Sequence, residues 1–559
     1  MAAAAAVATP SAFDQKLLGP AYPAPSNLAA VSAIRDTAAR LSSALQHALD
    51  SGQTPFGNFT ARGTSLSLTA SSARDAAPFL DFHYTSPLVD AAAGSTRRVT
   101  ADTAYRVGTV SKLFTVYALL LNGDAAYWDR PVTDLVPELR GAAARPGADN
   151  VVERVVEHNN GDLSLQDFPW EAAGLPPLPP SAIPTCGGNT TQPPCSRKEY
   201  FEGFVQRHPV LPPYASLTYS NAAYRILGYA IEAMTGASYA VVLQRDVLGP
   251  LGLNQTSVSV PGGAGVGVVP PGDSGWAKPF GDEVPAGGLY SSPRDLAAFG
   301  RALLASKQLS PLATRRWMRP QAHTASLSAA VGAPWEIART RSRVAGGYVV
   351  DLYTKSGGYG QYEALLVLVP ALDAVFTMLA AGPDAGDVVG SVTEMALQAF
   401  LPVLDDVGQG QARERFCGTY AATNSSLVLA VDDAGPGLLV RQWTSNGADM
   451  LRALRAQSRA LGGADIKSMR LYPTGLCAPG CRGPGEVAFR AVTEQLPRGY
   501  DASLPRVLDP KAGQRAMADG MVYGGVALGD FVFRVDGQGR AVGVEPRVLR
   551  QALQRVGGK

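Results

Sequence analysis

Between residues 27 and 52 apolar side chains return at helical spacing: Leu28, Val31, Ile34, Leu41 and Leu45 share one side, and Gly52 stands just past the end. Two shorter stretches, 65-SLSLTASS-72 and 78-PFLDFHYTS-86, are predicted as strands. In 106-RVGTVSKLFTVYALL-120 and the residue after it the helical period returns, with Leu113, Val116, Tyr117, Leu120 and Leu121 on one face. Residues 221-NAAYRILGYAIEAMTG-236 predict a further helix that buries Tyr224, Leu227, Ile231 and Met234 and stops at Gly236. The intervening 173-AGLPPLPPSAIPTCGG-188 is excluded from regular structure, because proline removes a donor and fixes φ. From residue 346 the pattern turns to strands, 347–358, 363–370 and 374–382, whose short turns predict antiparallel neighbours; a helix over 389–404 follows.

That order predicts an α+β fold, helices covering a sheet, over 27–408, preceded by a flexible leader, 1–26. Beyond it, the short runs 426–433, 437–443, 486–494 and 529–545 predict a separate β-rich domain over 409–559, a small barrel or a sandwich. A length of 559 residues fits more than one core.

Composition narrows the class. Hydrophobic residues make up 46% and charged residues 17%, a balance that buries well. Net charge is +2 with no basic block, which argues against a nucleic-acid partner. No apolar run reaches the ~20 residues of a membrane helix. The alanine-rich start lacks the positive region of a secretory signal. Other features favour secretion: glycosylation sequons begin at Asn58, Asn189, Asn254 and Asn424, and a Cys186–Cys195 disulfide would restrain the Pro- and Gly-rich loop between those cysteines. With five cysteines, at least one thiol is free or pairs between chains. Neither the cysteines nor the five scattered histidines have metal-ligand spacing, and no cofactor motif is found.

Three stretches carry candidate chemistry. Thr109 and Lys112 lie three apart at a helix start, so a hydroxyl and an amine share one face. Tyr219 and Asn221 point the same way in extended backbone ahead of the second helix; singly, Asn221 reads as an N-cap and Tyr219 as a packed aromatic. In 353-YTKSGGYGQY-362, Gly357 and Gly358 permit close backbone approach beside Lys355 and Ser356. In this order the three motifs resemble the serine β-lactamase and penicillin-binding-protein superfamily. The Tyr-Ser-Asn form is most similar to its class C branch, and 285-PAGGLYSSPRDLAAFGRALL-304 is similar to a segment packed behind the site there. The resemblance covers about residues 30 to 400; the leader, the cysteine loop and the β-rich tail look like a fungal branch.

The resemblance implies an antiparallel sheet flanked by helices, with a helical subdomain. It implies acyl transfer through a covalent acyl-enzyme, by a hydrolase or acyltransferase acting on a small or peptide-like ester, thioester or amide, as in fungal secondary metabolism. Thr109 takes the nucleophile position, where the family has serine. Lys112 is implied as its proton acceptor, which requires a pKa below the free value of ~10.4. Tyr219 is implied as the base for water and the acid for the leaving group. Asn221 would fix Lys112 and bind substrate; Lys355 would supply a nearby cation and attract a substrate carboxylate. The N–H groups of Thr109 and Gly358 would form the oxyanion hole. The threonine methyl predicts slowed acylation. The alternative is an impaired enzyme kept as a binding or scaffold protein.

Overall fold

A computed structural model describes residues 20–557 except 76, 90–93, 124–129, 141–170, 173, 178, 180–185, 187–192, 206–218, 273, 343–347, 461–464, 479–483 and 497–519. The first long helix, α1 (Ser32–Ser51), buries Ile34, Leu41 and Leu45 and ends on Gly52 in the left-handed region at φ 73°. Leu28–Ala30 ahead of it is a separate 3-10 turn, because Val31 is extended and breaks the helix. Strands β1 (Ser65–Ser72) and β2 (Leu80–Tyr84) follow. Then come α2 (Ser111–Asn122), α3 (Ala222–Thr235) and α4 (Pro293–Leu304).

The sheet is completed from the C-terminal side by β3 (Ala322–His323), β4 (Ala329–Val331), β5 (Glu336–Arg341), β6 (Val349–Tyr359), β7 (Tyr362–Val369) and β8 (Ala374–Ala381). Its eight strands run β2-β1-β8-β7-β6-β5-β4-β3, each pair antiparallel. The expected meander β6–β8 is therefore its centre; β3–β5 extend it beyond what periodicity predicts. Strand β8 is buried at every position. Phe376, Met378 and Ala380 face the α1 side, and Val375, Leu379 and Ala381 face the α2–α4 side. This is the period-two sorting of a sheet covered on both faces. Helix α3 is buried most deeply along Ile226, Tyr229, Ala230 and Ile231, rather than along Leu227 and Met234. It packs on two sides at once: Ile231 belongs to the α2 core, while Ile226, Tyr229 and Ala230 join a second cluster with Phe201 and Leu139.

Helix α5 (Ala385–Phe416) is twice the expected length and continues through 405–416, where glycines and polar residues hide its buried side chains Ala412 and Phe416. By length and apolar composition it could span a bilayer, but its apolar face is taken up by the sheet and the C-terminal unit. That unit contains β9 (Gly418–Ala422), β10 (Ser425–Ala430), β11 (Leu438–Ser445), α6 (Met450–Ala460), β12 (Asp465–Ala478), β13 (Gly485–Leu496), β14 (Asp530–Val535), β15 (Ala541–Pro546) and β16 (Leu553–Val556). The order β10-β9-β16-β15-β14-β13-β12-β11, with β11 paired back to β10, closes a barrel. Side chains fill an eight-stranded barrel. Here Leu427, Trp443, Phe489, Phe531 and Phe533 are fully buried in the core. Phe416, the last residue of α5, packs among them, its ring 5.1 Å from Phe489 and edge-to-face with Phe533 at 5.2 Å.

Part of the expected flexible leader is packed: Ala21, Tyr22 and Ala24 are buried, and Ser26 accepts a 2.8 Å hydrogen bond at its carbonyl from Gln411 Nε2 of α5. Residues 1–19 lie outside the described residues.

Two substitutions test this framework. Phe533→Ala removes the ring shared by Phe416 and Phe489, and is expected to cost about 3–5 kcal/mol, read as a lowered denaturation midpoint. Gly108→Ala is expected to be as damaging from a smaller change. Gly108 has φ 48°, and a Cβ there would lie 2.7 Å from the Gly357 carbonyl carbon. Its prediction is a lower melting temperature together with separation of the Thr109 turn from β6, read by protection of the strand amides against exchange.

Candidate active site

The turn that carries Thr109 is a 3-10 segment, Gly108–Val110, running into α2. Thr109 thus precedes the helix rather than opening it, yet side chains three apart eclipse in a 3-10 turn, so Thr109 and Lys112 keep a common side. Glycine at 357 permits the turn to meet β6, since a Cβ there would fall 2.6 Å from the Thr109 amide nitrogen. The Thr109 hydroxyl donates to the Ser356 carbonyl at 2.6 Å. Ser111 serves the backbone: its hydroxyl donates to the Gly108 carbonyl and accepts from the Leu289 N–H. It thereby pins the Gly287–Leu289 segment against α2.

Lys112 is 1% exposed. Its ammonium donates to the Ala286 carbonyl at 2.7 Å, the Tyr219 hydroxyl at 3.1 Å and Asn221 Oδ1. Each of these oxygens accepts an N–H bond of the ammonium. Tyr219, 48% exposed, also donates to Asn221 Oδ1 at 2.8 Å, and its ring centroid lies 4.9 Å from Lys112 Nζ and 5.7 Å from Lys355 Nζ. Asn221 occupies the N-cap position of α3 but makes no side-chain cap. The Ser220 hydroxyl accepts the Ala223 N–H instead, at 3.0 Å, which frees the carboxamide of Asn221 to face Lys112. Tyr224, also beside Lys112, has its phenol pushed well above the usual range, chiefly by burial and then by Tyr219 and Glu336.

At Lys355, where the resemblance implies a cation, the structure adds a carboxylate that faces it. Lys355, 2% exposed, is ion-paired with Glu336 and donates to the Ser356 carbonyl at 2.9 Å. The other Glu336 oxygen accepts both the Ser356 N–H and its hydroxyl, each at 3.0 Å. Sequence reasoning missed Glu336 because β5 carries only one buried apolar residue, Ile337. The signal lies in the register, where Glu336 sits opposite Thr354, the neighbour of Lys355.

Pairing of β6 with β5 ends at Thr354, whereas pairing with β7 continues to Tyr359. The other edge of β6 is thus open from Lys355 onward. The Ser356 N–H points to that edge, and strand alternation turns the Gly358 N–H the same way. Across β7, Glu363 pairs with Gly358, and burial raises its carboxyl pKa against the lowering effects of the Gly357 N–H and Lys355.

Away from this cleft, Cys186 and Cys195 form a disulfide, and the Cys195 carbonyl accepts from Arg225 of α3 at 2.6 Å. Cys477 is also disulfide-bonded, while Cys417 is a free thiol. Asn58, Asn254 and Asn424 are exposed; Asn189 lies outside the described residues.

A family model described as "Beta-lactamase" matches residues 69–399, and one described as "Beta-lactamase-like-like, C-terminal domain" matches 408–557. The chain is 30% identical to a "Beta-lactamase-like protein" of Arthroderma benhamiae, over 96% of this chain and 95% of that protein. It is 27% identical to "Probable hydrolase M10" of Phoma sp., over 79% and 77% of the two chains, and 25% identical to "Probable hydrolase clz13" of Cochliobolus lunatus, over 90% and 87%. With a matched region longer than half the sequence and a relative similar along nearly all of it, the chain belongs to the β-lactamase family.

Proposed function

We propose that this protein is a hydrolase that works through an acyl-enzyme formed on Thr109, acting on an ester, thioester or amide. The observation that carries the reading is the buried Lys112 ammonium, held by Tyr219 and Asn221 beside the Thr109 turn. Thr109 Oγ1 attacks the acyl carbon and its proton passes to Lys112, once that amine has given up a proton. The tetrahedral oxyanion is received by the N–H groups of Thr109 and Gly358, each such donor being typically worth ~3 kcal/mol. Tyr219 protonates the leaving group, then takes a proton from the water that attacks the acyl-enzyme, while Lys112 returns its proton to Thr109 Oγ1 as the acid is released. The hydrolase names of the relatives support water rather than another acceptor in that second step.

The Cys186–Cys195 disulfide and the exposed sequons at Asn58, Asn254 and Asn424 support passage through an oxidising secretory compartment. Glycosidase treatment of the protein from its native source is expected to lower its mass; an unchanged mass counts against glycosylation.

The nucleophile is tested by covalent labelling with a fluorophosphonate or an activated ester, read by peptide mass spectrometry. An adduct at Thr109 is expected in the wild type and none in Thr109→Ala. Thr109→Ser is expected to label faster, by roughly ten- to two-hundred-fold, the range that one methyl-sized group costs in a packed site. Labelling of the serine variant alone would leave the wild type as an impaired relative that binds. Labelling of neither sinks the acyl-enzyme.

A further inference from the structure

Glu336 lies at the point where β5 leaves β6, and its carboxylate reaches forward along the open edge to Lys355 and Ser356. The groups it meets are an ammonium, a backbone N–H and a hydroxyl. One carboxylate oxygen takes the ammonium and the other takes both remaining donors. That donor set is what a binding site needs to recognise a carboxylate by charge-assisted hydrogen bonds. Here the chain supplies the carboxylate itself.

We propose that Glu336 is a built-in occupant of a carboxylate subsite, and that it makes the cleft select acyl donors with neutral leaving groups against otherwise identical donors that carry a carboxylate. This rests on the acyl-enzyme reading above. The Ser356 and Gly358 N–H groups face the same edge two residues apart, about 6.6–6.8 Å along a strand. The subsite therefore stands about that far from the oxyanion position. It stands on the leaving-group side, because Tyr219, which protonates the leaving group, lies over Lys355 at 5.7 Å. A carboxylate arriving there meets the Glu336 charge, not the Lys355 charge. It binds only if Glu336 gives up its ion pair and swings out, a path its 42% exposed side chain leaves open. A carboxamide or ester at the same place carries no charge and needs no such exchange.

The test uses two thioesters that differ in one group: S-phenylacetyl mercaptoacetate and S-phenylacetyl mercaptoacetamide. For the full-length wild type, kcat/KM for thiol release is expected to favour the carboxamide by about tenfold or more, since like charges brought together at a binding edge are strongly disfavoured. Glu336→Gln keeps the shape and removes the charge; Glu336→Ala also empties the space. Both are expected to abolish or reverse that preference, read as the ratio of the two kcat/KM values within each variant. Equal use of the two thioesters by the wild type, or an unchanged ratio in both variants, overturns the proposal. The corresponding inert ketones, with methylene in place of sulfur, are titrated by calorimetry into the same proteins. Tighter carboxylate binding in the variants is expected even if no thioester is cleaved. That result would keep the subsite and refute the acyl-enzyme, whereas carboxylate binding unaltered by either substitution refutes the subsite.

Discussion

The Lys112 ammonium is 1% exposed, and a charge placed there costs several kcal/mol unless protein oxygens replace its water. Those oxygens come from Tyr219, Asn221 and Ala286, on segments that the sequence separates by more than sixty residues. Solvating one cation therefore fixes the approach of α3 and of the Gly287–Leu289 segment to α2. Lys355, equally buried, is solvated by the Glu336 carboxylate. Two lysines within reach of one tyrosine ring thus meet different groups: oxygens of Tyr219, Asn221 and Ala286 at Lys112, the Glu336 carboxylate at Lys355.

The glycines of β6 complete the arrangement from the other side. Strand and turn approach so closely that backbone meets backbone, at Gly108 and at Gly357. The consequence is a row of main-chain N–H groups at a fixed offset from the Thr109 hydroxyl, independent of side-chain rotamers. Preorganised main-chain donors of this kind need no rearrangement when charge develops on a substrate oxygen.

What could be read from the chain follows from how local each signal is. Helices α1 and α3 announce themselves by spacing and by Gly52 and Gly236, both observed as left-handed caps. Strands β6, β7 and β8 are long and apolar enough to stand out. Strand β5 is not, so no local signal announces the pairing that carries Glu336 to Lys355. Barrel closure was equally hidden, because it depends on the long-range pairing of β9 with a four-residue final strand, β16. Asn221 carries two readings, an N-cap and a partner of Lys112, and its carboxamide is found on Lys112. Its position is that of an N-cap, and only the presence of Ser220 as a second capping side chain releases it.

Threonine at 109 has a physical consequence that serine would lack. The hydroxyl rests on the Ser356 carbonyl, at 2.6 Å. In the acyl-enzyme reading proposed above, that hydrogen leaves the carbonyl for Lys112, and any rotation about χ1 that accompanies the transfer carries the methyl with it. In serine such a rotation moves one oxygen and exchanges it with hydrogen. In threonine the methyl is carried into another staggered well, and a β-branched side chain has few wells its surroundings accept. The half-buried turn between Gly357 and α2 must then hold the methyl in two places rather than one. The lysine, the phenol and the strand edge are the same for either residue, so the cost falls on the step that moves the hydroxyl and not on the binding of substrate. On the proposed reading, threonine at 109 would slow acylation more than it would disturb the assembly of the site.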